Sequence, residues 1–391
     1  EKLFRASWSP SDGLGGLVLS PTRELAVQIF DVLRRVGSRH RLTAGLITGG
    51  KKEFALEQSS VGHVNIVVGT LGRVLQHFEQ TPAFSADNLQ MLVLDEADRV
   101  LDMGFSKQLT SILSYLPPRQ TLLFSATQTK KVSSLSKLSL TKPEYIAVDE
   151  ASARSTPAKL SQSYVLCTLP SKLSLLYSFL KSHTKARTVA FLTSTAQVKH
   201  VYSLFCALQP GLPLLQLHGK MAQLARTQAF LAFQSRPHGC LFATDVASRG
   251  LDFPDLDWVV QVDCPSTPDD YIHRAGRTAR NGKPGQSLLM LTDNEQPILD
   301  TLKGRGCELK RVSVNASKAV SVSKRAAALN ASDPDSADRA RRAFKGYVRS
   351  VHLETDKSVF QASDLDLEGY AKALGLPKAP NVKSVLRGKS G

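Results

Sequence analysis

The sequence holds no apolar run approaching the length of a membrane-spanning helix, and no basic amphipathic stretch dominates it, so no membrane partner is expected. Cysteine is sparse. Cys167, Cys206, Cys240, Cys264 and Cys307 are the whole complement, and none is spaced as a zinc-ligand pair. Scattered thiols in odd number suit a reducing compartment, and no secretory signal pattern is present. Acidic residues are in deficit, 34 against 50 lysines and arginines, which leaves a net charge of +16. That surplus points to a polyanionic partner, and nucleic acid is favoured over an anionic bilayer.

What is present describes a folded chain: 42% apolar and 21% charged residues, with 391 residues, more than one ordinary core. Two domains plus an extension are expected. Leu17–Ser20 precedes a helical pattern from Arg23 to Val36, and Asn65–Val68 precedes Leu71–Phe78. Met91–Leu94 precedes a helix near Phe105–Leu116, and Thr121–Phe124 precedes Lys130–Leu138. Such alternation predicts a parallel sheet covered on both faces. From Asp149 to Gln162 the sequence turns small and polar around Pro157, a linker composition. The rhythm restarts with Thr188–Leu192, Leu214–Leu217, Cys240–Ala243, Trp258–Val262 and Leu288–Leu291. After about Val314 the strands cease, and basic helical stretches follow at Ala326–Leu329 and Ala337–Val348. The expected division is a first domain over residues 1–148, a linker over 149–162, a second domain over 163–314 and an extension over 315–391.

Met91–Leu94 reads as a buried strand that delivers Asp95, Glu96, Ala97 and Asp98 to its C-terminal end, the edge at which open α/β sheets bind ligands. Of two adjacent carboxylates there, one can hold a magnesium ion and the other can orient or deprotonate an attacking water. A solvated acidic turn is the plainer alternative. Thr22 and Arg23 stand at a strand-to-helix junction and fit a phosphate site, although a Thr-capped helix explains them equally. Gly49–Gly50 and the run from Thr70 to Arg73 repeat backbone amides, a hydroxyl and a guanidinium at further strand ends, which suggests a track for a phosphate backbone. Ser125 and Thr127 place two hydroxyls beyond another strand; Ser-Ala-Thr alone carries little information. In the second half Thr244 offers a strand-end hydroxyl and Asp252 could accept from a ribose. Arg277 and Arg280 are three apart, so on a helix they would share a face and could clamp a γ-phosphate.

Together these residues resemble the DEAD-box RNA helicases of helicase superfamily 2. PTRELA (21–26), GG (49–50), TLGR (70–73), DEAD (95–98), SAT (125–127), FLTST (191–195), HGKMAQLAR (218–226), ATDVASRGLD (243–252) and HRAGRTAR (273–280) stand in that family's order, across nearly all of residues 15–305. The resemblance implies an α/β fold of two tandem RecA-like parallel-sheet domains plus a mainly helical, basic C-terminal extension, with ATP and Mg2+ as cofactors and RNA as partner. By position it implies Asp95 as metal ligand, Glu96 as activator of water, Arg277 and Arg280 on the γ-phosphate, and Gly250 and Asp252 at the nucleotide. It implies further that Asp98, Ser125, Thr127 and His273 couple nucleotide state to domain closure. Thr22, Arg23, Gly50, Thr70, Arg73, Gly219, Arg226 and Thr244 would line the RNA backbone. A finer similarity, carried by LFSATQT, SRGLDFP, QVDCP and the tail from Gly346 onward, is to a nucleolar branch that matures the small ribosomal subunit. That branch implies pre-rRNA or small nucleolar RNA as target, pre-ribosomal proteins as partners, a nuclear and nucleolar location, and a monomer.

Two departures bear on this. Leu71 stands where the family usually has proline, and no G-x-x-x-x-G-K-[ST] occurs, since GGKKEF and HGKM lack the leading glycine and the trailing hydroxyl. The chain opens at Glu1, so a fragment is expected, its phosphate loop and adenine-reading segment lying upstream. By itself it is expected to bind RNA weakly, with strong salt dependence and negligible ATP hydrolysis. A non-catalytic RNA-binding scaffold is the competing class; a DNA-dependent translocase is opposed by PTRELA and Asp98. In the extension Phe344, Tyr347, Val348 and Val351 predict a helix docked on the second domain, with Arg339, Arg341, Arg342, Lys345 and Arg349 facing outward. Those arginines would lengthen the RNA track or meet a precursor partner, and a solvated basic helix is the alternative. Deleting residues after Ser317 is expected to leave both domains folded.

Overall fold

The computed structural model describes residues 1–50, 54–125, 140, 142–146, 156–157, 159–248, 253, 255–280, 282–313 and 320–382. Two compact units divide the chain, one over Glu1–Val148 and one over Asp149–Arg249 with Phe253–Gly391. The helix expected at Lys130–Leu138 and most of the expected linker lie outside the described residues.

The first unit is built on a wholly parallel sheet ordered β2-β3-β1-β4-β5, from β1 (Gly16–Ser20), β2 (Ala44–Ile47), β3 (Ile66–Thr70), β4 (Met91–Leu94) and β5 (Gln120–Leu123). Its helices are α1 (Lys2–Arg5), α2 (Arg23–Gly37), α3 (Phe54–Ser60), α4 (Leu71–Gln80), α5 (Ala97–Asp102) and α6 (Ser106–Ser114). β1 is central, and Leu17, Leu19 and Ser20 are fully buried, as a parallel strand covered on both faces requires. Leu92 and Leu94 pack into the same core from β4. The ladder runs one residue beyond β4, because the Asp95 amide donates to the Leu19 carbonyl at 3.0 Å. The chain leaving β5 is drawn to the same place: Phe124 N donates to Leu94 O at 2.8 Å, and Ala97 N to Phe124 O at 3.0 Å. Three backbone bonds thus pin the acidic segment at the C-terminal edge of the sheet.

The second unit holds a parallel sheet ordered β12-β6-β11-β10-β7-β9-β8. Its strands are β6 (Leu160–Leu166), β7 (Arg187–Phe191), β8 (Leu214–Leu217), β9 (Gly239–Ala243), β10 (Trp258–Gln261), β11 (Gly285–Leu291) and β12 (Lys310–Arg311). The helices are α7 (Lys172–Ser182), α8 (Thr195–Leu208), α9 (Gln223–Gln234), α10 (Pro268–Ala275), α11 (Ile298–Gly304), α12 (Ser323–Ser332), α13 (Pro334–Leu353) and α14 (Leu367–Ala373). A capping box starts α8: Gln197 N donates to Ser194 Oγ at 3.2 Å, and Ser194 N to Gln197 Oε1 at 3.0 Å. β6 begins inside the segment expected as linker and crosses the boundary expected at residue 163. It escapes a reading by apolar runs because Ser161, Gln162 and Ser163 interrupt it, yet it pairs with β11 along all seven residues. β2 was expected only as a strand ending near Gly49, and β12 was not anticipated; each is short and lies at the end of its sheet.

The extension is not a separable appendage. α13 buries Ala340, Ala343, Phe344, Tyr347, Val348 and Val351 along one face, while Arg341, Arg342, Lys345 and Arg349 are exposed on the other. Its apolar face lies on α8, and with Tyr370 and Leu374 it joins one cluster with Phe205, Val260 and Leu289 of the sheet domain. Deletion after Ser317 would strip this cover from α8, so destabilisation of the second unit is expected in place of an intact core. Periodicity revealed the stripe; it could not reveal that this stripe completes the cover of α8. Gly346 sets the approach, since a Cβ there would lie 2.9 Å from Ser194 Oγ and 3.3 Å from the Ala196 Cβ.

Candidate active site

Asp95, Glu96 and Asp98 leave β4 at the sheet's C-terminal edge. Glu96 occupies the left-handed region with φ 49° and ψ 52°, a conformation costing a non-glycine residue about 1–2 kcal/mol and held here by the bonds around it. The Glu96 amide donates to Asp95 Oδ1 at 2.9 Å, which orients the first carboxylate. Burial pushes the Asp95 carboxyl above its usual range; the Glu96 amide opposes the rise and the Asp98 charge adds to it. A cation would relieve this crowding of negative charge. Among the described residues no three His, Cys, Asp or Glu side chains gather as a metal cluster. Mg2+ does not require one, since one or two carboxylates plus substrate phosphates commonly hold it, so the site fits that ion. Asp98 is buried on α5, and Ser125 is exposed just past β5.

Beside these carboxylates the same sheet edge carries the ends of β1, β2 and β3. Thr22 is buried and caps α2, accepting from Leu25 N at 3.4 Å, with Arg23 at the first helical position. Thr70 Oγ1 donates to Thr48 O at 3.2 Å, tying the end of β3 to the chain leaving β2. Gly49 takes a φ of 91°, and a Cβ there would crowd Arg23 Nη2 at 3.0 Å and Arg73 Nε at 3.4 Å. Arg73 is 5% exposed. Its guanidinium donates to the Gly50 carbonyl, pairs with Glu57 Oε2 at 3.2 Å and lies 5.0 Å from the Phe54 ring centre. It braces the double-glycine turn from beneath. Arg23, Gly50, Thr70 and Arg73, predicted from separate motifs, are thus gathered in one place.

In the second unit the candidates again follow strand ends. Gly219 is exposed just beyond β8, Thr244 is buried at the end of β9, and Arg226 is half-buried on α9. His218, buried beside Gly219, is held down to about 4 by burial and by the cations Lys199, Arg226 and Lys220, a positive neighbourhood suited to an anionic strand. His273 is buried on α10. Arg277 and Arg280 do not share a helical face. α10 ends at Ala275, where the Gly276 amide closes on Ile272 O at 2.8 Å; Thr278 Oγ1 then bonds the Leu256 carbonyl, and Ala279 adopts a φ of 58°. The spacing was right for a face, but the helix ends at Ala275, before the first arginine. Each arginine is fixed at its base by a carbonyl four residues earlier, Arg277 Nε to His273 O at 3.1 Å and Arg280 Nε to Gly276 O at 2.9 Å. Both line a cavity of about 200 Å³ with Phe253 and Lys283. Thr127, Gly250 and Asp252 lie outside the described residues.

Residues 2–135 match the DEAD/DEAH box helicase family, residues 171–282 the helicase conserved C-terminal domain, and residues 333–382 the ATP-dependent rRNA helicase SPB4-like C-terminal extension. The chain belongs to the DEAD-box helicases. It is 50% identical over 387 residues to a protein of Aspergillus terreus named ATP-dependent RNA helicase dbp4, covering 98% of this chain and 48% of that one. The dbp4 protein of Sclerotinia sclerotiorum is 49% identical over 385 residues, with the same shares. The chain spans about half the length of the curated relatives it matches. Mss116p bound to ssRNA and AMP-PNP is similar in fold, with a TM-score of 0.83 over 96% of this chain and 78% of that one at 24% identity. S. cerevisiae Dbp5 bound to RNA and ADP BeF3 gives a TM-score of 0.69 at 25% identity, over 79% of this chain and 80% of that one. Both units are RecA-like domains.

Some of the site architecture escaped sequence reasoning. Arg274, 1% exposed, makes a bidentate pair with Asp245 at 2.6 and 2.7 Å and lies 5.5 Å from the Phe191 ring centre. Asp263 is buried after β10 and accepts from Thr193 N and Gln197 Nε2, both at 3.0 Å. The signal for Asp263 was the one that singled out Asp95, a carboxylate directly after an apolar strand. Glu57 and Phe54 brace Arg73, but no spacing marks them.

Proposed function

We propose that the protein carrying this chain is an ATP-dependent RNA helicase that locally unwinds or remodels RNA duplexes, serving pre-rRNA processing and small ribosomal subunit assembly in the nucleolus. The observation that carries this reading is the placement of Asp95, Glu96 and Asp98 at the sheet edge that also bears Thr22, Arg23, Gly50 and Thr70. A nucleotide-hydrolysing group and a strand-binding track then share one rigid scaffold. The names of the dbp4 relatives, the SPB4-like rRNA helicase extension, the RNA and nucleotides in the Dbp5 structure and the net charge of +16 support it.

Within this reading Glu96 accepts a proton from the attacking water, its carboxylate aimed by the left-handed backbone. Asp95 holds Mg2+, which supplies charge neutralisation to the phosphates when bound. Arg277 and Arg280 donate to the γ-phosphate as negative charge develops, and Gly250 and Asp252 serve the nucleotide. Arg23, Thr22, Thr70, Gly50, Gly219, Arg226 and Thr244 contact the RNA backbone, while Arg73 acts through the Gly50 carbonyl it holds. Asp98, Ser125, Thr127 and His273 transmit nucleotide state. The target is pre-rRNA or small nucleolar RNA, met as a monomer alongside pre-ribosomal proteins. The test compares RNA-stimulated ATP hydrolysis by the full-length protein with that of its Glu96→Gln variant. The variant is expected to keep nucleotide and RNA binding and to lose turnover by about 10²–10⁴-fold. Turnover near the parent rate would remove Glu96 from its role. A full-length parent that binds RNA without hydrolysing ATP would favour the scaffold, which the absence of G-x-x-x-x-G-K-[ST] from these residues keeps in contention.

A further inference from the structure

The C-terminal extension holds the chain between β10 and α10 directly at Ser266 and, through Gln197 of α8, at Asp263. Ser266 Oγ donates to Glu354 Oε1 at 2.7 Å, just past the end of α13. Three residues earlier, the buried Asp263 carboxylate accepts from Gln197 Nε2 at 3.0 Å, and that nitrogen also reaches Tyr370 Oη on α14 at 3.5 Å. Tyr347 of α13 packs against Tyr370 with ring centres 5.0 Å apart, and it lines, with Asp263, Glu295 and Glu354, a small cavity at the end of β10. Lys172 and Glu295 close the network from behind with a buried pair at 3.1 Å. The gripped loop begins α10: Thr267 Oγ1 caps it by accepting from Asp270 N at 3.1 Å. α10 is a rigid rod of eight residues, about 12 Å long at 1.5 Å per residue, and it delivers Gly276 and the arginine turn at its far end. The Asp263 carbonyl also accepts from Arg274 Nη1 at 3.4 Å, so the gripped residue touches α10 at its last turn as well as its start.

We infer that the extension is a positioning element for the arginine turn: Glu354 acting on Ser266, and Tyr370 acting through Gln197 on Asp263, fix α10 and with it the placement of Arg277 and Arg280. The catalytic consequence rests on the helicase reading above; the positional one does not. A basic helix serving only to bind RNA or a protein would not need a carboxylate fastened to this loop.

The test uses the full-length protein and its Glu354→Ala, Glu354→Gln and Tyr370→Phe variants. Amide exchange over residues 263–280 is expected to quicken about tenfold in Glu354→Ala, the scale of one lost hydrogen bond to a charged acceptor. Tyr370→Phe should show a smaller increase, and Glu354→Gln, which keeps an acceptor for Ser266, should restore the parent pattern. kcat for RNA-stimulated hydrolysis should fall with the exchange, while KM for RNA stays within about twofold. Unchanged exchange at 263–280 in Glu354→Ala overturns the inference, as does a lowered melting temperature with kcat intact. Should the parent itself fail to hydrolyse ATP, the helicase reading fails while the exchange pattern still decides the positional claim.

Discussion

Replacing Gly346 with alanine tests how α13 sits on α8. On an isolated helix this change stabilises by about 1 kcal/mol, because glycine loses more backbone freedom on folding. Here the new Cβ would stand 2.9 Å from Ser194 Oγ and 3.3 Å from the Ala196 Cβ. Ser194 cannot swing away without cost, since its hydroxyl caps α8, a bond worth about 1 kcal/mol. If the helices separate instead, overpacking costs about 1–3 kcal/mol. The net expectation is destabilisation by about 1 kcal/mol, a fall of about 2–4 °C in the melting temperature of a domain this size. Ser194→Gly removes the obstructing hydroxyl at a cost of only a few tenths of a kcal/mol, roughly, because glycine is tolerated at an N-cap. In that background Gly346→Ala should stabilise by about 0.5 kcal/mol, giving a coupling of about 1.5 kcal/mol in a double-mutant cycle read by urea denaturation. Stabilisation by Gly346→Ala in the parent, as on a solvent-facing helix, would refute the described approach of α13.

Two further outcomes follow from charges. His200 is buried, neither ring nitrogen has a hydrogen-bond partner among the described residues, and burial with the Arg339 charge holds its pKa down to about 4. Because the unfolded chain binds this proton first, at about 6.5, the second unit should keep full stability above that pH and lose about 2 kcal/mol by pH 5. The loss should level off below about 4. His200→Leu should flatten urea midpoints compared between pH 7.5 and 5, and an equal decline in the variant would contradict the assignment. Changing Arg341, Arg342, Lys345 and Arg349 together to glutamine should lower the salt slope of RNA binding by up to about 3, at roughly 0.7 per lost phosphate contact. The slope is measured by fluorescence anisotropy against KCl, and an unchanged value would assign that face to a protein partner.

Sequence and structure agree where one physical rule acts alone. Met91–Leu94 had to be a buried strand, so Asp95 had to emerge at a sheet edge, and the structure places it there. The apolar stripe of Phe344, Tyr347, Val348 and Val351 likewise had to find a partner. Agreement ends where two rules compete. Arg277 and Arg280 have helical spacing, but α10 ends at Ala275 and the chain turns through a left-handed Ala279 between them. β6 lacks a continuous apolar run because Ser161, Gln162 and Ser163 fall together within it, so only its pairing identifies it. Glu57 and Phe54 meet Arg73 across a distance no periodicity encodes. The grip of Glu354 on Ser266 joins residues 88 positions apart, beyond any local pattern.

The close fit of α13 against α8 bears on how such chains diverge. Gly346 answers Ser194, Tyr370 answers Gln197 and Glu354 answers Ser266, each pair matched in size or hydrogen bonding. A tail exchanged from a relative that differs at these positions would meet the wrong halves of these pairs. Grafts that carry residues 194–197 and 263–267 along with the tail should fold where tail-only grafts fail. The heritable module is the second sheet domain and its tail together, and the joint between them is a poor place for recombination to cut.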